Sequence, residues 1–377
     1  RINMKTLTKV LVTLVASFAL VGSAYAGALN VTGDAKASYQ IGSGGNLDTG
    51  KALGITNEIT FSATGELDNG YTWKYQTELD SGAETTSGAG IDDSQITIGT
   101  PYGTVGIYVS EGSLRSAGLG WDTTAFGAGS DNGAGFGIQN GSELNAYNSL
   151  QYHSPAGLLP LGAVVKVGRS VGDSTINSYK ATGAVVTPAC TNAVRATVTT
   201  TTKAVTTAAI ANACTSREMN QYTVSLTPIE GATVIVDYFS KDGATGDNQE
   251  NEGGNAAIKY ATGPFSVGVG YGLEALGITS SIAAGHHTIE DYETKRASVG
   301  YAVNDALSVS FSREETSARY VGNAVGLQSD TVGLDSIQAA YTMGGATMAL
   351  SYDSADNVNN IQGLDQDEML FTLALAF

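Results

Sequence analysis

D-E-M-L-F-T-L-A-L-A-F, residues 367–377, is the stretch that decides the fold. From Met369 onward the odd positions are Met369, Phe371, Leu373, Leu375 and Phe377, all apolar, whereas Leu370, Thr372, Ala374 and Ala376 between them are small or only moderately apolar. A period of two marks an extended strand, because successive side chains point to opposite faces. In a soluble protein a long apolar strand ending on a bare aromatic leaves a sticky sheet edge. A membrane barrel removes that edge by pairing its last strand with its first, and its outer face is apolar. The stretch predicts an all-β fold, a transmembrane antiparallel β-barrel.

The same rhythm runs upstream. Over 28–41, Leu29, Val31, Gly33, Ala35, Ala37, Tyr39 and Ile41 share one face, with Asn30, Thr32, Asp34, Lys36, Ser38 and Gln40 on the other. This alternation is longer than the roughly six residues of a usual soluble strand and sufficient for the ~9–11 tilted residues that span a bilayer. After a Gly-rich loop at 42–52, the pattern resumes over 54–67 and, beyond the hairpin turn Asp68-Asn69-Gly70, over 71–79. Further strands are expected at 93–100, 103–110, 146–154, 162–170, 218–228, 232–240, 254–262, 265–274, 290–303, 306–316, 331–343, 346–354 and 367–377. That makes about 16 strands, joined alternately by short and long connections, as in outer-membrane barrels with short periplasmic turns and long extracellular loops. Glycine pairs are read as turns and strand bulges.

Composition agrees. Charged residues make up 15% of the 377-residue chain, below the roughly 25% of soluble domains. A formal net charge of -17 argues against nucleic acid, which needs a basic footprint. Residues 4–26 read as a signal peptide: Lys5 and Lys9, an apolar core over 10–21, and Ala24-Tyr25-Ala26 as the cleavage site. Residues 1–3 then precede the true start, and 27–377 form the barrel. Tyr39, Tyr71, Tyr238, Tyr260, Tyr271, Tyr301, Tyr341 and Tyr352 fall on or near the ends of outward faces, where interfacial aromatic girdles sit.

Several short motifs carry a family resemblance. Residues 61–71, F-S-A-T-G-E-L-D-N-G-Y, with Gln76-Thr77-Glu78, and then 95–99, Q-I-T-I-G, and 102–106, Y-G-T-V-G, are joined by 148–155, N-S-L-Q-Y-H-S-P, and by Phe377. Together they resemble the general trimeric porins of Gram-negative outer membranes, the Gram-negative porin family. The resemblance implies a water-filled pore, a homotrimer, and a long loop after the fifth strand that folds inward as a constriction. It also marks Phe377 as the signal for the barrel-assembly machinery. Two positions depart from the family: Tyr108-Val109 stands where Gly-Arg is frequent, and Ala146 where an Arg often precedes the Asn-Ser pair. Those missing bases weaken any expected anion preference.

The constriction is therefore placed at 111–145, with Glu111, Arg115, Asp122, Asp131 and Glu143, four acids against one base. Lys36, Glu58, Lys74, Glu78, Tyr108 and Lys166 are expected to face the lumen near it. Carboxylates in a narrow aqueous lumen concentrate cations, because low-dielectric walls focus the field. Cys190 and Cys214, in the Thr- and Ala-rich loop 171–217, form either one disulfide or two free thiols; a disulfide closing about 25 residues adds ~3 kcal/mol in the chain-entropy model. The loop acids Asp242, Asp247, Glu250 and Glu252 lack the spacing of a regular calcium loop, and adjacent His286-His287 do not converge on one metal. No nucleophile stands in a recognisable relation to a base, and no P-loop or dinucleotide fingerprint occurs. No catalytic, cofactor or metal site is expected. The sequence predicts a passive, modestly cation-preferring channel for small hydrophilic solutes and ions, surrounded by outer-membrane lipid and lipopolysaccharide; the alternative is a structural or adhesive surface barrel.

Overall fold

The computed structural model describes residues 29–44, 50–80, 90–109, 112, 114, 120–131, 136–144, 148–170, 218–241, 247–279, 288–321 and 331–377. The expected signal peptide 4–26, Glu111, Arg115, the loop 171–217 with Cys190 and Cys214, and His286-His287 lie outside the described residues.

Sixteen strands close into one antiparallel barrel. In chain order they are β1 (Asn30–Gly44), β2 (Gly50–Glu66), β3 (Thr72–Asp80), β4 (Gly90–Thr100), β5 (Gly103–Val109), β6 (Ser149–His153), β7 (Val164–Ser170), β8 (Met219–Leu226), β9 (Ala232–Lys241), β11 (Asn251–Thr262), β12 (Phe265–Ala275), β14 (Thr288–Ala302), β15 (Leu307–Val321), β16 (Thr331–Met343), β17 (Ala346–Asp356) and β18 (Gln366–Ala376). Two short strands, β10 (Asp247–Gln249) and β13 (Ile278–Thr279), pair apart from the barrel in segments expected to be loops. Each expected strand has its counterpart, and each neighbour in sequence is a neighbour in the wall.

The first and last strands close the cylinder. β18 pairs β1 in the register Ala37 to Leu373 and Tyr39 to Phe371. Gly33 and Phe377 exchange both backbone bonds, at 2.9 and 3.0 Å. The backbone of β18 is thereby bonded on both edges, since β17 pairs its other side. The hairpin at Asp68-Asn69-Gly70 follows from its residues: Asn69 Oδ1 accepts the Tyr71 N–H at 3.0 Å, and Gly70 adopts φ 78°, a conformation that costs glycine little.

The outer surface has a sharp upper border. Across β14 to β18 one row reads Val299, Phe311, Ile337, Tyr352, Met369; the next row toward the loops reads Ala297, Arg313, Asp335, Ser354, Asp367. Two residues, ~7 Å along a strand, separate an apolar row from a polar one. Above the border Arg313 bonds Asp335 at 2.6 Å and Glu315 at 2.9 Å, while Arg319 pairs with Asp291. These pairs explain why β15 runs on to Val321 although the apolar alternation ends near 316. The ladder continues above the apolar band, held by charged rather than greasy outward residues.

The apolar outward run on β18 extends from Met369 to Phe377, and Leu373 lies at its centre. Leu373→Arg is expected to lower barrel stability by about 2–4 kcal/mol, and Asp367→Arg at the border by no more than about 1 kcal/mol. Denaturant titrations in lipid vesicles measure both.

Candidate pore and its inner loop

The inner wall is polar where the outer wall is apolar. Gln151, Gln221, Gln338, Ser312, Ser336, Thr294 and Thr316 are buried on it, opposite exposed Leu150, Tyr222, Ile337 and Phe311. What buries them is the segment following β5. The described parts of 112–144 lie inside the barrel against β7 to β17, and the wall side chains receive them.

The attachment is a series of wall-to-loop hydrogen bonds. Thr123 Oγ1 meets Ser298 Oγ at 2.8 Å, the Ala125 N–H donates to Ser310 Oγ at 2.8 Å, and the Phe126 N–H to Gln338 Oε1 at 2.9 Å. Ser130 gives both its N–H and its hydroxyl to the Glu314 carboxylate, at 3.1 and 2.8 Å. The Gln139 N–H donates to Thr316 Oγ1 at 3.0 Å, Ser142 Oγ to Glu274 Oε1 at 2.8 Å, and the Leu144 N–H to Gln221 Oε1 at 2.8 Å. An irregular segment has no ladder of its own, so its buried N–H groups need such acceptors. Arg296, buried beside Glu314 with Nε 3.5 Å from Oε2, donates to Asn140 Oδ1 at 2.7 Å and to the Gln139 carbonyl.

Three apolar contacts complete the docking. Leu114 and Leu144 pack with Met219 and Phe239; Trp121 and Ala128 with Ala257; Phe136 with Leu334, Ala355 and Val358. The Trp121 ring is seated by a column of inward glycines on β12. A Cβ at Gly268 would collide with the Trp121 carbonyl oxygen, and one at Gly270 would lie 3.0 Å from the ring. In F-S-V-G-V-G-Y-G the glycines all fall on one face of the strand. Reading glycine pairs only as turns and bulges misses these; three glycines at period two on an inward face are the signal for a slot.

The expected site residues are distributed as follows. Asp122, Asp131 and Glu143 lie on the inner segment. Asp122 Oδ1 accepts the Thr124 N–H at 2.8 Å, Asp131 ends a short 3-10 turn (Gly129–Asp131) and is exposed, and Glu143 is half-buried. Lys36 on β1 comes to 5.9 Å from the centre of the Phe126 ring, which brings the opposite wall to the loop tip. Glu58 on β2 and Lys74 and Glu78 on β3 alternate with outward apolar residues and face inward; Glu78 accepts from Thr60 Oγ1 at 3.0 Å. Tyr108 is only 2% exposed, its ring stacked on His153 at 5.4 Å, so it fills the wall. Lys166 stands directly across the ladder from His153. Sequence reasoning did not single out Arg296, Glu314, Glu274, Gln338 and Gln221, because nothing local distinguishes an inward residue that meets the loop from one that meets water.

Burial is lopsided as a result. The inner faces of β14 to β17 are covered, whereas on β1 and β2 the inward Lys36, Thr56, Glu58, Thr64 and Glu66 are exposed. This uncovered polar wall marks the candidate passage, with the docked segment on its far side. Among the described residues no group of three or more His, Cys, Asp or Glu is placed to hold a metal ion; Glu252 instead accepts the Tyr238 hydroxyl at 2.7 Å on the outer surface.

Gly268→Leu is expected to evict Trp121 from its slot and move residues 120–124 into the passage. Single-channel conductance should fall by about half or more, since the added side chain has no space in the wall, while heat-modifiable gel mobility of the barrel is retained.

Comparison with known proteins places this geometry. A family model described as Gram-negative porin matches residues 8–377. Among solved structures, OmpF of Salmonella typhi superposes with a TM-score of 0.63 at 12% identity, covering 93% of this chain and 97% of that one. An anion-selective porin from Comamonas acidovorans gives 0.60 at 11%, covering 93% and 99%. The trimer form of OmpT, an outer membrane protein of Vibrio cholerae, gives 0.58 at 12%, covering 93% and 100%. Among curated protein sequences none matches this chain.

Proposed function

Since the chain belongs to the Gram-negative porin family and is an outer-membrane channel, we propose that it passes small hydrophilic solutes and ions by passive diffusion, with a modest preference for cations. The observation that carries this is the uncovered polar wall of β1 and β2 opposite a segment bonded into the rest of the lumen. A surface barrel with a filled interior would bury Lys36 and Glu58, and both are exposed.

The constriction is the segment 111–145, and it selects by size and by charge. Glu58, Glu78 and Asp131 border the passage, with Asp122 and Glu143 nearby. Lys36 and Lys74 are the opposing bases on the open wall, and Lys166 on β7 stands across the ladder from His153, on which Tyr108 stacks. Fields inside a narrow pore are focused by the low-dielectric wall and membrane, so a small surplus of carboxylates raises the local cation concentration. The companion proposals are export through a cleaved signal peptide at 4–26, insertion by the barrel-assembly machinery reading Phe377, a homotrimer in outer-membrane lipid and lipopolysaccharide, and a Cys190–Cys214 disulfide. The trimer is supported by the trimeric form of the similar V. cholerae protein.

The test is the reversal potential of the purified protein in a planar bilayer under a salt gradient. A cation-selective potential is expected, and Glu58→Gln with Asp131→Asn should lower the cation-to-anion permeability ratio by about twofold. An anion-selective potential would retain the channel and reject the acidic constriction.

A further inference from the structure

The charged groups on the inner wall are sorted along the pore axis. Lys74 is the third residue of β3 and Lys166 the third residue of β7, both counted from the short-turn side; Lys259 lies three residues before β11 ends on that same side. All three face inward. Lys74 pairs inward Thr97, Lys166 pairs inward Thr223, and Lys259 pairs Gly268, the floor of the Trp121 slot. At this level the wall acid is Glu66, the last residue of β2; Asp34 lies higher, directly across the ladder from Glu58. The turn acids Asp68, Glu230 and Asp305 are exposed to bulk water outside the passage, where screening is strongest.

The other half has the opposite sign. Glu58 lies eight residues from the turn end of β2 with Asp34 directly across from it, and Glu78 is the seventh residue of β3. Glu274, the tenth of β12, Asp353, the eighth of β17, and Glu368, the third of β18 on its loop side, add to the same half as buried acids. The bases at these heights are Lys36, Lys241, whose Nζ donates to Ser142 of the inner segment at 2.7 Å, and Arg296, buried beside Glu314. Acids prevail from mid-barrel to the loop side, and lysines at the short-turn mouth.

We propose that the lumen is axially polarised, basic at the short-turn mouth and acidic toward the loops, and that the channel therefore rectifies ionic current. This rests on the channel function proposed above. An acidic zone is filled mainly by mobile cations and a basic zone by mobile anions. When the loop side is at positive potential, cations leave the acidic zone toward the basic one while anions travel the opposite way. Both accumulate where the zones meet, and conductance rises. With the potential reversed, both carriers are drawn out of that junction and conductance falls. The effect needs screening lengths comparable to the passage, about 10 Å at about 0.1 M salt, and fades at about 1 M, where the length is about 3 Å.

The experiment is single-channel current–voltage recording on protein purified from outer membranes, with orientation read from a streptavidin-blockable peptide inserted in the turn at 304–305. At about 0.1 M KCl the current with the loop side positive should exceed the reverse current about twofold, and the ratio should approach one at about 1 M. K74Q/K166Q/K259Q should bring the ratio at low salt to one; should that variant fail to fold, E58Q/E78Q on the open wall should reduce it as well. Straight current–voltage lines at low salt, or rectification of the opposite sign, overturn the polarisation and leave the channel standing. A folded barrel without any conductance overturns the channel itself.

Discussion

Hydrocarbon offers no hydrogen bonds, and that constraint governs the rest of this structure. Every backbone N–H and C=O in the bilayer must find a partner within the protein, at a cost of several kcal/mol for each failure. A sheet meets the requirement only by having no edge. The exchange of bonds between Gly33 and Phe377 and the paired register of β1 with β18 supply the last contacts that make the cylinder edgeless. The alternation of side chains follows from closure: with one face in lipid and the other in the lumen, each strand must change polarity at every residue.

Closure creates a second problem inside. An irregular segment within the lumen carries its own backbone donors, and the wall must answer them one by one. It does so with short side chains, Ser298, Ser310 and Thr316, and with carboxamides and carboxylates, Gln221, Gln338, Glu274 and Glu314. The glycine column of β12 solves the steric part by removing the wall's side chains where Trp121 needs depth. Docking along β7 to β17 leaves the wall of β1 and β2 uncovered, so the candidate passage is what remains after the segment's bonding needs are met.

The barrel was legible in the sequence because its cause is local. Lipid imposes a period of two on each strand independently, so Leu373 and Phe371 announce their face without reference to any partner. Strand count, the alternation of short and long connections and the approximate limits of all sixteen strands followed. Legibility ended where the cause became non-local. The run of β15 to Val321 depends on Arg319 meeting Asp291 on a neighbouring strand, and above the lipid no hydropathy signal requires it. The site was harder still. Asp122 and Asp131 could be placed on the inner segment by their position after β5, but the residues that hold that segment come from strands up to 212 positions away in sequence. Gln338 and Ser310 look like any inward polar residue until the loop is laid against them. The resemblance of 148–155 to a porin motif located the segment; it said nothing about what grips it.

The glycines show how far a sequence signal can be pushed when its physical meaning is set by context. Gly70 is required by a positive φ in a two-strand turn, and its neighbours Asp68 and Asn69 say so. Gly268 and Gly270 adopt ordinary strand geometry, so no backbone conformation demands them; glycine there weakens a strand and gives up wall packing. That loss is tolerable only if something else fills the space, and the alternation V-G-V-G-Y-G identifies which side must be filled. In a strand whose outward face is greasy, the occupant must come from within the lumen. The occupant is Trp121 of the segment after β5, so a glycine column on a distant strand and an inward loop are two views of one packing requirement.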